Sequence, residues 1–111
     1  MLSKANRLSV KEFDLVVKTG RELYSPLFTL KYIGANNFKF SPTAPKKTFK
    51  TAVSRNRVRR RIYAAVREVL SSKKIKPNHI VLIVKKDIAD IDSQRLVCVL
   101  NDLFVQARLI A

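Results

Sequence analysis

The sequence predicts a single mixed α/β (α+β) domain with the order α, two or three strands, α, β, α. Three observations predict it. Apolar residues recur at helical spacing in three separate windows. Two short runs rich in aromatic and branched residues lie between the first two windows. A continuous apolar run at 80–84 (IVLIV) separates the last two. The 111 residues suit one domain, 1–111, with a modest core. No internal repeat or domain boundary divides them.

The first helix is read over 9–18. Ser9-Val10-Lys11-Glu12 has the form of a capping box, in which Ser9 accepts from a free amide and Glu12 reaches back. Val10, Phe13 and Val17 follow at i, i+3 and i+7, with Val16 beside them. Gly20 reads as a left-handed helix stop.

Residues 27–33 (LFTLKYI) read as a strand, with Phe28, Leu30 and Tyr32 on one face and Leu27, Thr29, Lys31 and Ile33 on the other. Residues 34–37 (GANN) carry turn chemistry, and 38–40 reads as a returning strand. Pro42 and Pro45 lack amide hydrogens and limit further pairing, so 43–49 is a third strand or an irregular segment.

A second helix is expected over about 52–70. Val58, Ile62, Ala65, Val66 and Val69 form its apolar stripe. On a 100° wheel Asn56, Arg57, Arg60 and Arg67 fall opposite that stripe, and Arg59 and Arg61 flank it. The 80–84 run has strand length and reads as a central strand buried on both faces. Asp92 or Ser93 caps a last helix over roughly 93–108, with Leu96, Val99, Leu100, Leu103, Phe104 and Ala107 as its stripe.

Hydrophobic residues make up 47% of the chain, too many for a disordered basic tail. The net charge of +15 instead specifies partners: nucleic acid or an anionic membrane. No stretch approaches the roughly 18 apolar residues of a membrane span, and the first residues lack the apolar core of a signal peptide. The expected location is a reducing cytoplasm. Cys98 is the lone cysteine, so an internal disulfide and a cysteine-based zinc site are both excluded. It is read as a small buried hydrophobe of the last helix.

The charge concentrates in 46–61, KKTFKTAVSRNRVRRR. Eight of its sixteen positions are Lys or Arg, and none is Asp or Glu. Arginine offers a planar fork of donors that matches phosphate oxygens. Several on one helical face can follow a nucleic-acid backbone and release counterions. A solvated face balanced by acids is the plain alternative, but Glu68 is the only acid nearby on that helix. Lys46, Lys47 and Lys50 extend the basic surface or serve as ordinary loop lysines.

Phe13 and Val17 sit one turn apart on the first helix, and Thr29 and Lys31 lie on the less apolar strand face. Together they outline a shallow groove for a single strand, where a ring meets bases and a cation meets phosphate. Core packing is the competing role for Phe13. Neither His79 nor the acids Asp87, Asp90 and Asp92 form a ligand set, and turn and cap roles suffice for these acids. No convergent carboxylates suggest a protein-borne metal site of the kind a nuclease needs.

Residues 46–61 closely resemble the signature of the bacterial ribonuclease P protein subunit: Lys46-Lys47, Ala52-Val53, Arg55-Asn56-Arg57, then Arg59-Arg60-Arg61. The resemblance extends to Asn6-Arg7-Leu8, Phe13 and Gly20, the Phe28 strand, and the 80–84 strand with its final helix. It implies a two-layer α/β sandwich, like the second domain of ribosomal protein S5. Such a fold has a four-stranded mixed sheet, three helices in the order α-β-β-β-α-β-α, and a left-handed βαβ crossover containing the arginine helix. The handedness opposes the usual rule.

The resemblance further implies an accessory subunit of an endoribonuclease that removes the 5′ leader from precursor tRNA. Catalysis and Mg²⁺ belong to an RNA subunit, and the protein holds no cofactor and supplies no catalytic residue. Lys46, Lys47, Lys50, Arg55, Asn56, Arg57, Arg59, Arg60 and Arg61 would then meet the catalytic RNA. Phe13, Val17, Thr29 and Lys31 would face the leader. The implied partners are ribonuclease P RNA and the precursor leader, with one protein copy in the holoenzyme and no membrane.

Two departures from the family pattern stand out. Val17 and Lys31 occupy positions that are often aromatic, which favours phosphate contact over stacking. Prolines 42 and 45 interrupt the usual regular strand before the Lys-Lys pair. A ribosomal or other structural RNA-binding protein remains the alternative. A helix-turn-helix DNA binder fits poorly, because strand-like residues and prolines precede Ala52. An anionic-membrane binder would need exposed apolar residues opposite the arginines.

Overall fold

A computed structural model describes residues 6–110. The chain runs α1 (Val10–Thr19), β1 (Arg21–Tyr24), β2 (Phe28–Gly34), β3 (Lys39–Thr43), α2 (Ala52–Ser72), β4 (Asn78–Val84) and α3 (Ser93–Gln106). The four strands form one mixed sheet in the order β1-β2-β4-β3. This is the α+β arrangement expected from the sequence, with the helix and strand order that the resemblance implied.

The apolar run of β4 takes a central place. Antiparallel pairing with β2 and parallel pairing with β3 cover both its edges. Ile80, Val81, Leu82 and Val84 have no exposed surface, as a run buried on both faces requires. Parallel pairing needs a long crossover, and α2 supplies it between β3 and β4.

The 38–40 segment is therefore not the return strand of a hairpin with β2, because β4 lies between the two. Pro42 gives a physical reason. It sits inside β3 opposite Leu82 and has no amide hydrogen, so β3 occupies an edge, where one side needs no ladder. Residues 44–49 form a turn rather than a strand. The amides of Thr48 and Phe49 donate to the Pro45 carbonyl, and Ala44 and Phe49 are buried beneath.

β1 is absent from the sequence reading. It pairs with β2 in the register Tyr24↔Thr29 and Glu22↔Lys31. A tight turn closes this hairpin, with the Ser25 amide donating to the Phe28 carbonyl at 2.8 Å.

The large core lies on the sheet face that carries Phe28, Leu30, Phe40, Ile80, Leu82 and Val84. α2 covers it with Val58, Ile62, Ala65, Val66 and Val69; α3 adds Leu96, Leu100, Leu103 and Phe104. Phe40 is the keystone, meeting the rings of Tyr63 and Phe104 edge to face at 6.2 and 6.5 Å. α1 crosses the opposite face.

The α1 capping box forms in full: Ser9 Oγ accepts from the Glu12 amide, and Glu12 Oε1 accepts from the Ser9 amide at 2.9 Å. Val16, rather than the Val10-Phe13-Val17 row, is the fully buried residue of α1, and Val10 is 79% exposed. Gly20 follows the helix with φ −71°, so it is not a left-handed stop. Close approach explains it instead. A Cβ there would stand 2.5 Å from the Val16 carbonyl oxygen and 3.0 Å from that of Tyr32.

Asp92 is the cap of α3, accepting from the Arg95 amide at 2.8 Å. Cys98 is exposed rather than buried. It lies two positions from both Leu96 and Leu100, and such neighbours point away from each other on a helix.

Candidate nucleic-acid interface

Two surfaces carry the residues singled out in the sequence. The first is the outer face of α2. Thr51 caps this helix through its side-chain oxygen, which accepts from the Ser54 amide. Burial of the Val58–Val69 stripe fixes the helix rotation, and Asn56, Arg57, Arg60 and Arg67 turn outward as the wheel predicts. Arg55, Arg59 and Arg61 are half-buried at its flanks. Lys46, Lys47 and Lys50 are exposed in the loop that leads in.

The half-buried arginines have structural ties. Arg55 Nη1 donates to the Phe49 carbonyl at 2.9 Å, which holds the lysine loop against the start of the helix. Arg59 donates to the Asn56 side-chain oxygen, leaving the Asn56 amide hydrogens as outward donors. Arg61 is tied furthest along the chain. Its guanidinium donates to the Ile88 and Ile91 carbonyls and pins the loop before α3. The first turn of α2 contains no acid, so its free amides and dipole add to the positive field.

The second surface is the sheet face crossed by α1. Phe13 and Val17 are half-buried there. Thr29 is 6% exposed and presents little surface. Lys31 Nζ sits 3.2 Å from Glu22 Oε1 and 3.4 Å from the Val17 carbonyl, so its charge is already engaged. The structure thus brings Val17 and Lys31 together where α1 meets the sheet, with Lys31 tethered, while Thr29 lies one row away and is covered.

Sequence reasoning missed what projects beside them. Tyr24 is 64% exposed on the same face, its hydroxyl donating to Glu22. That hydrogen bond, then the one from Lys31, holds the Glu22 carboxyl below its ordinary range, and Glu22 raises the Tyr24 phenol. An aromatic residue in a short polar stretch carries no periodic signal, so only the strand pairing reveals its face.

At the other end of α1, Glu12 binds Lys39 Nζ through both oxygens at 3.0 Å. His79 Nε2 lies 3.0 Å from Asn37 Oδ1 and 3.8 Å from Glu12 Oε2. Among the described residues, no three His, Cys, Asp or Glu side chains gather into a group that would hold a metal ion. Asp87 accepts from the Ala89 amide, and Asp92 caps α3. No helix among the described residues is long and apolar enough to cross a membrane.

Known structures share this architecture. The ribonuclease P protein of Staphylococcus aureus is similar with a TM-score of 0.76 at 21% identity, covering 97% of this chain and 100% of that one. A second S. aureus structure gives 0.69 at 24% identity, covering 99% and 95%. The Thermotoga maritima ribonuclease P protein, solved in complex with 1-(4-fluorophenyl)-2-thiourea, gives 0.74 at 22% identity, covering 88% and 96%. A comparison with curated proteins finds no match. The family model for ribonuclease P matches residues 2–108. With the fold, the arginine helix and that match in agreement, the chain belongs to the ribonuclease P protein family, whose members are subunits of the ribonuclease P ribonucleoprotein.

Proposed function

We propose that this chain docks on the catalytic RNA of ribonuclease P and holds the 5′ leader of precursor tRNA, so assisting removal of the leader. The observation that carries this reading is the α2 outer face, where Arg57 and Arg60 stand exposed beside Asn56 on a helix whose one acid is Glu68. Lys46, Lys47 and Lys50 extend this face. Arg55 and Arg59 shape it from the flanks, and Arg61 supports it through the 88–91 loop. Each phosphate neutralised there releases counterions and lowers repulsion between two RNAs.

The α1 face of the sheet, with Phe13, Val17, Thr29 and Lys31, is the proposed leader surface. The helix and sheet orient the leader there. Phosphodiester cleavage, and the Mg²⁺ that supports it, are assigned to the RNA subunit. Orientation of bound substrate can supply several kcal/mol of barrier lowering without any protein group touching the reacting atoms. The assigned location is the cytoplasm, where precursor tRNA is processed in bacteria.

The test is a cleavage assay at low Mg²⁺ with the protein, a bacterial ribonuclease P RNA and a precursor tRNA, each omitted in turn. The expected result is 5′ cleavage that requires the RNA and is stimulated by the protein. Tight RNA binding without stimulation, across several such RNAs, would transfer the assignment to a structural RNA-binding role.

A further inference from the structure

Of the four residues expected to face a single strand, Phe13 alone offers a ring, and it is half-buried: Thr29 is covered, Lys31 is held by Glu22, and Val17 has no ring. The same sheet face nevertheless continues beyond them. Partners across a ladder share a face, so the pairs Tyr24↔Thr29 and Thr29↔Ile83 place Tyr24, Thr29 and Ile83 in one row. The neighbouring row contains Glu22, Lys31 and Val81, and α1 packs on that one through the Val17–Lys31 contact. Tyr24 therefore stands one rung outside the helix. Alternation along the chain puts Lys85, two positions past Ile83, on this face as well.

Tyr24 is also fixed in place. Its hydroxyl donates to Glu22, and Glu22 is itself tied to Lys31. Lys85 Nζ lies 5.8 Å from the centre of the Tyr24 ring, within cation–π range. A large ring 64% exposed to water, anchored at its polar tip and charged along one face, is poorly explained by core packing. It has the parts of a stacking platform: a pre-positioned π-face for a base and an adjacent ammonium for a phosphate.

We propose that Tyr24 and Lys85 form a base-stacking site for single-stranded RNA, taking one nucleotide of the precursor leader as it leaves the α1 groove. The ring face away from Lys85 takes the base, and Lys85 meets the following phosphate. The site recognises any base, because every base has a π-face. This assignment rests on the leader-holding function proposed above, and the experiment separates the two.

The holoenzyme is assembled with wild-type protein, Tyr24→Ala, Tyr24→Phe or Lys85→Ala. Its affinity is measured for precursor tRNA with a long leader and for the same tRNA without one. Tyr24→Ala is expected to weaken the leader-bearing substrate about fivefold to tenfold. It should leave the leaderless substrate and the RNA subunit unaffected. Tyr24→Phe keeps the ring and stays within about twofold. Lys85→Ala lowers the salt slope of leader binding by about 0.7. A single abasic nucleotide is then walked through the leader. At one position it should weaken the wild type and have no further effect on Tyr24→Ala.

Equal losses with and without a leader, or additive effects at every abasic position, would overturn the platform. If the wild type discriminates leader from no leader and Tyr24→Ala discriminates equally well, the platform alone falls. If the wild type shows no discrimination, the leader-holding function falls and the platform with it.

Discussion

Glu12 on α1 grips Lys39 on β3 through both carboxylate oxygens, each 3.0 Å from the lysine Nζ. The same carboxylate accepts from the Ser9 amide that opens the helix. One side chain thus fastens α1 to its own start and to the edge strand beneath it. The backbone hydrogen bond from Ser9 and then the Lys39 contact hold its pKa at about 2, against an ordinary 4.5.

That depression sets the sign of a pH effect. The folded form binds the proton less tightly than the unfolded form, so the stabilisation is fully present above about pH 4.5 and is lost as pH falls toward 2. Glu12→Gln should lower the melting temperature at pH 7, and the difference from wild type should shrink through that acid window. Thermal melts followed by circular dichroism between pH 7 and pH 2 measure it. A constant difference across the range would refute the carboxylate as its source.

Gly20→Ala should destabilise the fold by about 1–3 kcal/mol, the usual cost of forcing atoms into packed space. The added Cβ meets the Val16 and Tyr32 carbonyl oxygens, which are backbone atoms with little room to yield. Gly34 is the control, because a Cβ there meets nothing within 4 Å. Gly34→Ala should be neutral or gain up to roughly 1 kcal/mol by restricting the unfolded chain. Urea titrations of both variants decide the matter, and equal effects would show that backbone freedom, not contact, governs Gly20.

Phe40→Ala should cost about 3–5 kcal/mol, the range for truncating a large buried ring. Phe40 has no exposed surface and joins the edge strand to both α2 and α3 through Tyr63 and Phe104. Phe40→Leu should cost less. A drop in urea midpoint at unchanged slope would mark lost packing within an intact two-state fold.

How far the sequence reaches is set by where its information lies. The helical period is local, so the inward turn of Val58, Ile62 and Val66 and the outward turn of Arg57 and Arg60 were both legible. Strand pairing is not local. β3 looked like the partner of β2, and nothing within 38–43 states that the apolar run at 80–84 comes between them. β1 offers four residues, three of them exposed, which is too short and too polar for a period-two signal. Tyr24 was lost with it. Charge density reports a surface directly, so the outward arginines are legible, whereas the Arg61 tether reaches a loop 27 residues away and leaves no local pattern.

That tether separates Arg61 from its neighbours by experiment. Arg57 and Arg60 are exposed, so replacing either with Ala should leave stability nearly unchanged and weaken binding to ribonuclease P RNA. Each lost phosphate contact should reduce the slope of log affinity against log salt by roughly 0.7–0.9. Arg61 instead commits one N–H from each Nη to the Ile88 and Ile91 carbonyls. Arg61→Ala should therefore cost roughly 2 kcal/mol of stability, in the range of hydrogen bonds from a charged group, with the salt slope retained. Filter binding from 50 to 200 mM salt, paired with urea melts of the same three variants, reads both quantities. A reduced slope for Arg61→Ala at unchanged stability would place its guanidinium on RNA, and unchanged slopes for Arg57→Ala and Arg60→Ala would remove the α2 face from the docking site.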